Sequence, residues 1–351
     1  MVVVGTDVHK RTHTFVAVDE VGKKLGSCTV PATRAGHQKA LLWALTDFGP
    51  ISRWGVEDCR NMSAQLERDL LGAGQMVVRV PPKLMAEQRR TARTRGKSDP
   101  IDALATARVV VREPDLPLAR HDEVSRELRL LVDRRETLVR QRTATINSLL
   151  WRVHELDCEY IIKSGALTMP THQKALQVRL AERSGIVAEL ARDELSDIID
   201  LTVAINALHK RINTRVRVVA PSLLTVVGCA GLTAAKLVGE TADVTRFATE
   251  AQFARHAGVA PIPVWSGRNE GRVRMTRSGN RQLNASLHRI AITQIRCHNS
   301  LGRVYYDKKI AEGKTTREAL RCLKRKLVPT VFKHLVADHH ARTTPAEKAA
   351  A

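Results

Sequence analysis

The opening hundred residues are patterned tightly enough to fix the class of fold. Residues 2–8 (VVVGTDV), 12–19 (THTFVAVD) and 24–30 (KLGSCTV) are short apolar runs joined by turns too brief for a helix, the second turn carrying Gly22. That spacing predicts an antiparallel meander. Helical periodicity over 34–47, a strand over 52–57, a helix over 61–72 and a strand over 76–80 then follow, closed by Pro81 and Pro82. A meander continued by alternating helix and strand predicts a mixed sheet covered by helices. Acidic residues punctuate the pattern: Asp7 in the first strand, Glu57 at the end of the fourth, and Asp99 and Asp102 in GKSDPIDALATAR.

Charge narrows the partner. The chain has 351 residues, enough for two or three domains, and 57 Lys and Arg stand against 36 Asp and Glu, a formal net charge of +21. Such a surplus favours phosphate backbones over acidic small molecules, with a membrane surface as rival polyanion and a generally basic solvated surface as the bland reading. No stretch approaches the ~20 apolar residues of a membrane span, and no signal-peptide pattern precedes the first strand, so a cytoplasmic protein without a membrane partner is expected. The cysteines at 28, 59, 158, 229, 297 and 322 show no CxxC spacing, which argues against structural zinc and a disulfide framework.

The order strand, strand, strand, helix, strand, helix, strand, helix is that of the ribonuclease H fold. On that reading Asp7 and Glu57 lie on adjacent central strands. Asp99 and Asp102, three apart on a helix, can point to one site. Capping explains SDPID by itself, with Ser98 or Asp99 as N-cap, Pro100 at the first helical position and Asp102 favoured by the helix dipole. It gives no reason for acids in the two strands, although Asp7 as a turn residue and Glu57 paired with Arg60 stay open. Four such acids would hold two Mg²⁺ ions about 4 Å apart. In the basic stretch from Arg79 to Lys97, Arg89, Arg90, Arg93, Arg95 and Lys97 would carry a polyanion to them, unless this is only a solvated loop and helix face.

From about 121 to 158 and again from 189 to 218 the pattern is long helix, rich in arginine, predicting an antiparallel hairpin that serves as core or dimer-forming scaffold. The segment between them, 159–188, carries no clear assignment beyond a connecting helix with loops. Further on, Gly228 and Gly231 in LLTVVGCAGLTAAKLVGE fit a helix-hairpin-helix or an ordinary helix turn. Between Ser266 and Arg289 there are six arginines and one acid. There Arg268, Arg272, Arg274, Arg277 and Arg281 are candidate phosphate clamps, and glycines 267, 271 and 279 permit close backbone approach.

Taken in order, GTDVHK, GVED and KSDPIDALATAR, then a helical linker, then LLTVVGCAGLTAAKLVGE, GVAPIPVWSG and RSGNRQLN, the chain resembles the IS110-type transposases. These are DEDD recombinases, a group that includes the Piv-type DNA invertases and bridge-RNA-guided recombinases. The resemblance implies an acidic metal-binding tetrad, Asp7, Glu57, Asp99 and Asp102, in a RuvC-like domain over 1–115. It further implies a helical coiled-coil dimerisation region over 120–218, and a mostly helical transposase domain over 219–340 that brings a nucleophilic serine. The tail over 341–351 is expected to be disordered. Ser266, in APIPVWSG, is the first candidate for the nucleophile and Ser278 the second; a serine beside glycine is otherwise a turn residue. The implied partners are donor and target DNA, a structured guide RNA, and further copies of the chain in a dimer or tetramer. Low aromatic content, 3%, suits backbone gripping better than base stacking.

Two other readings compete. In one, the tetrad alone hydrolyses DNA, as in a Holliday-junction or structure-specific endonuclease, and the arginines only bind. In the other, the protein is a non-catalytic RNA-binding or architectural factor whose output does not depend on Asp7 or Glu57.

Overall fold

In the computed structural model, the described residues are 1–57, 62–81, 84–85, 87–88, 98–113, 115–120, 122–265, 267, 273–275 and 279–344. The chain divides into two compact units, one of Met1–His121 with Thr245–Ala248, the other of Asp122–Val244 and Thr249–Ala351.

The first unit is a five-stranded mixed sheet. Strands β1 (Val3–Val8), β2 (Thr12–Val18) and β3 (Lys24–Pro31) form the antiparallel meander that the short turns require. After helix α1 (Arg34–Phe48), strand β4 (Arg53–Glu57) pairs parallel with β1; after α2 (Ala64–Gly72), β5 (Val77–Val80) pairs parallel with β4. The strand order is β3-β2-β1-β4-β5, and helix α3 (Asp99–Arg112) completes the unit. This topology, with helices on both faces, is that of a ribonuclease-H-like domain.

Strand alternation sorts the core into two layers. Val4, Val8, Trp54 and Val56 pack with Ala40, Ala44, Leu66 and Leu70 of α1 and α2. Val3, Val16, Val18, Val78 and Val80 pack with Ala103, Ala107 and Val110 of α3. On the α3 face stand two glycines whose absent side chains admit the helix. A Cβ on Gly5 would run into the backbone of Ala103 and Ala107, and one on Gly55 would meet Val110 and Thr106. Helix α3 therefore lies directly on the two central strands, which is what brings its first turn to their ends.

The second unit is helical. Helices α4 (Glu123–Leu156) and α6 (Ile186–Val219) pack antiparallel, with Arg215 donating to Glu127 at 2.8 Å toward one end and Ser148 to Glu194 at 2.7 Å toward the other. The stretch without a clear assignment in the sequence closes this hairpin. A 3₁₀ turn at Ala166–Thr168 and helix α5 (Pro170–Ala181) contribute Leu167, Leu176 and Leu180 to a core with Leu149, Val153, Leu195 and Ile198. Buried Gln173 ties these pieces together by donating to the Leu167 carbonyl and the Thr202 hydroxyl, at 2.9 and 3.1 Å.

Beyond the hairpin come α7 (Gly231–Thr241), α8 (Glu250–His256), the two-stranded ribbon β6 (Pro261–Pro263) and β7 (Val273–Met275), α9 (Arg281–Arg296), α10 (Leu301–Ala311) and α11 (Thr316–Thr343). Gly228 adopts φ +86° and backs onto Ile290 and Thr293 of α9, so its glycine is accounted for by packing. Helix α11 runs through residues 341–343 of the segment expected to be disordered; 345–351 lie outside the described residues. Among the described residues no helix is long and apolar enough to cross a membrane.

Candidate functional site

Parallel pairing sets the site. The register Gly5↔Gly55 and Thr6↔Val56 leads, one position further, to Asp7 and Glu57, each two residues beyond a glycine that faces α3. Both carboxylates thus leave the ends of neighbouring strands on the face that carries α3. Asp99 and Asp102 occupy the first turn of that helix.

Asp7 is 8% exposed and Asp102 9%, whereas the Asp99 side chain is 49% exposed. Burial pushes the Asp7 carboxyl above its usual range; the hydrogen bond to His9 pulls the other way, and the charges of Asp102 and Asp99 add to the rise. A buried carboxylate that desolvation and two further acids disfavour as an anion is a place where a divalent cation fits. Hard oxygen donors at the ends of rigid elements suit Mg²⁺ or a related ion.

The capping reading of SDPID is only partly realised. Ser98 takes the N-cap position of α3 but makes no side-chain capping bond, and Asp99 sits inside the helix. The Asp99 carboxylate lies instead 3.4 Å from His9 Nε2, which is also 2.9 Å from Asp7 Oδ2. Asp7, His9 and Asp99 offer one ligand atom each within 4.8 Å of one another. The hydrogen bond to Asp7, more than the other carboxylate, raises the His9 pKa against a smaller opposing effect of burial.

His9 is a residue that sequence reasoning missed. The DVHK context was the only signal, and a histidine just past a strand end reads as solvated. Arg79, which heads the stretch read as basic, donates to buried Glu67 of α2 through Nε at 2.8 Å and Nη2 at 2.5 Å. Arg89, Arg90, Arg93, Arg95 and Lys97 lie outside the described residues.

In the second unit the RSGNRQLN motif anchors the β6–β7 ribbon. Asn280 caps α9 by accepting from the Gln282 and Leu283 amides, at 2.9 and 3.0 Å. Its own amide nitrogen donates to Glu240 Oε2 at 2.7 Å, and its backbone N–H donates to the His256 carbonyl at 2.7 Å. Asn284 donates to the carbonyls of Ala257 and Gly258, at 3.1 and 2.9 Å, and accepts from Lys324 of α11. A Cβ on Gly279 would collide with the backbone at Gly258, so this glycine lets the two feet of the ribbon touch. Lys236, 3% exposed, donates to Gln282 Oε1 at 2.9 Å and pairs with Glu136. Burial, more than the nearby Arg321 charge, lowers the Lys324 pKa.

Arg274 on β7 and Arg281 at the start of α9 are exposed, where a phosphate can reach them. Ser266 and Ser278, with Arg268, Arg272 and Arg277, lie outside the described residues.

Comparison with known proteins gives matches at both ends of the chain. Residues 4–153 match the DEDD transposase model of the IS110 group, described as "Transposase", and residues 220–307 match a model described as "Transposase IS116/IS110/IS902 family". The insertion element IS900 uncharacterized 42 kDa protein of Mycobacterium paratuberculosis is 26% identical, over 97% of this chain and 98% of its own length. The insertion element IS116 uncharacterized 44.8 kDa protein of Streptomyces clavuligerus is also 26% identical, over 94% of this chain and 93% of its own. The insertion element IS110 uncharacterized 43.6 kDa protein of Streptomyces coelicolor reaches 34% over 36% of this chain and 31% of its own. Among solved structures, T. thermophilus RuvC in complex with Holliday junction substrate matches with TM-score 0.28 and 15% identity, covering 34% of this chain and 99% of that one.

Proposed function

Because the chain belongs to the IS110 family of transposases, enzymes that recombine DNA, we propose that it cuts and rejoins DNA strands through an acidic tetrad and a serine nucleophile. Asp7, Glu57, Asp99 and Asp102 would hold Mg²⁺. Bound there, the metal supplies activation of the attacking oxygen and neutralisation of charge at the leaving oxygen.

The chain's own residues account for the remainder. A serine hydroxyl is a weak nucleophile at neutral pH, so the phosphate it attacks must be held and its charge offset. Arg268, Arg272, Arg274, Arg277 and Arg281 would clamp the phosphate, and Arg89, Arg90, Arg93, Arg95 and Lys97 would carry the DNA backbone toward the acids. Ser266 Oγ, with Ser278 as second candidate, would bond to phosphorus as the strand's P–O bond breaks and the freed hydroxyl takes a proton. Attack by a hydroxyl of the new strand would reverse the step, releasing the serine and conserving the bond for exchange.

A structured guide RNA would read donor and target by base pairing while the protein grips backbone and shape. The α4–α6 hairpin would assemble copies into a dimer or tetramer as a coiled coil, and the 219–340 region would deliver the serine to a tetrad in the 1–115 domain. The observation that carries this reading is the gathering of Asp7 with Asp99 and Asp102 at one end of the sheet, in a chain matched by IS110-group models at both ends.

The test is substitution of Ser266 and of Ser278 by Ala, assayed for denaturant-resistant protein–DNA adducts and for recombinant product in Mg²⁺. Loss of both products in one variant supports the serine route. Strand cleavage that survives both substitutions, without adducts, would instead favour a two-metal endonuclease.

A further inference from the structure

A histidine stands within hydrogen-bond distance of the buried acid, and no acidic tetrad accounts for it. His9 stands one residue past the end of β1, its Nε2 at 2.9 Å from Asp7 Oδ2 and 3.4 Å from Asp99 Oδ1. Adjacent ligands in an octahedral shell with bonds of ~2.1 Å sit about 3.0 Å apart. His9 Nε2 therefore stands from Asp7 at the spacing of a neighbouring position around one ion and from Asp99 slightly beyond it, with all three ligand atoms within 4.8 Å of one another. The spacing to Asp7 is also that of a donated hydrogen bond, which is what an N–H at Nε2 makes when no cation is held. The same nitrogen can serve either way, according to which ring nitrogen carries the proton.

We propose that His9 Nε2 is a ligand of the divalent cation held by Asp7 and Asp99, giving a mixed nitrogen and oxygen site that takes first-row transition ions such as Mn²⁺ more tightly than Mg²⁺. The proposal rests on the reading of these acids as a metal centre and refines it. A nitrogen donor adds affinity for transition ions over hard Mg²⁺, which prefers oxygen and sheds its water reluctantly. Half-exposed, His9 can turn between its two roles; Asp7, buried in β1, cannot move with it. Mg²⁺, far more abundant in cells, can still occupy the site.

The probe is Mn²⁺ itself, titrated into the full chain without DNA and followed by electron paramagnetic resonance. Pulsed spectra then register a ¹⁴N coupling from any nitrogen bound directly to manganese. The wild-type protein is expected to show that coupling. His9→Ala is expected to lose it and to bind Mn²⁺ about tenfold or more weakly, in the range by which loss of supporting metal-site interactions lowers affinity. Its affinity for Mg²⁺, read by competition, should change much less.

Asp7→Asn is the control. If it abolishes Mn²⁺ binding while the wild type shows no ¹⁴N coupling, the acids hold metal and His9 does not, which overturns this proposal alone. If Asp7→Asn binds Mn²⁺ as the wild type does, the metal centre itself is misplaced and both readings fall. Unchanged circular dichroism of each variant separates loss of a ligand from loss of fold.

Discussion

The two units hold their motif residues by opposite means. In the first, position is a consequence of backbone: register fixes Asp7 and Glu57, and two glycines seat α3 so that Asp99 and Asp102 arrive at the same end of the sheet. In the second, a short ribbon stands on a network of side chains, Asn280, Asn284, Gln282, Lys236, Glu240 and Lys324, drawn from three helices or their caps. The candidate ion site is thus set by strand register and close helix packing. Among the described residues, the ribbon is held at its feet by that network. Substitutions in the first unit should therefore strike either the acids themselves or the helix seat that places them, and those in the second should be graded.

The sharpest contrast is expected at Asp7. Asp7→Asn keeps shape but removes a charge, and strand cleavage should fall on the order of 10²–10³-fold or more, the cost of losing one preorganised group that offsets developing charge. Its circular dichroism should match the wild type. Next comes Gly5→Leu, which drives a side chain into the backbone of α3. Such overpacking costs roughly 3 kcal/mol or more where the backbone itself must move. Denaturation and hydrogen exchange should locate the loss in the sheet, and Mn²⁺ binding should weaken with it.

Acid should separate the units too. His13, 2% exposed beneath α1 and stacked on His37, has its pKa lowered to about 4 by burial first and by the charge of His37 second. The unfolded chain binds this proton near the ordinary value of 6.5 and the folded chain only near 4. Stability of the first unit should therefore be full above pH 6.5 and decline as pH falls toward 4, by at most about 3 kcal/mol. His13→Gln should flatten that slope in unfolding measurements made across the window. A slope that persists unchanged would mean another group carries it.

Smaller effects belong to the second unit. Lys324→Met removes the donor to Asn284 and leaves its half-buried amide oxygen short of a partner, at about 1 kcal/mol. Faster amide exchange around the Ala257–Gly258 carbonyls should report it, with metal binding in the first unit unaltered. Of similar size is Thr315→Ala at the head of α11, where the capping box with Glu318 is worth about 1 kcal/mol, visible as a modest drop in thermal midpoint.

Much of this contrast was already written in the sequence, and unevenly. The sheet was legible because period-two alternation and short turns leave few other folds. Its acids stood out because charge at apolar strand ends is costly without a purpose. His9 was not legible, since its two partners come from a strand before it and a helix some 90 residues later. The Arg79–Glu67 pair was not legible either, since the two face each other only once α2 packs on β5. The ribbon's footing joins residues about 40 apart in sequence, such as Asn284 and Lys324, whose letters give no hint of contact. Local rules reach as far as local structure; polar networks across elements lie beyond them.

On the proposed function, register and close helix packing assemble one metal centre from Asp7, Glu57, Asp99 and Asp102. The most direct measurement is anomalous diffraction from crystals of the full chain soaked in Mn²⁺. Peaks are expected within coordination distance of these carboxylates, two of them about 4 Å apart where DNA is also bound. Peaks confined to other residues, or none at saturating metal in a folded protein, would contradict it.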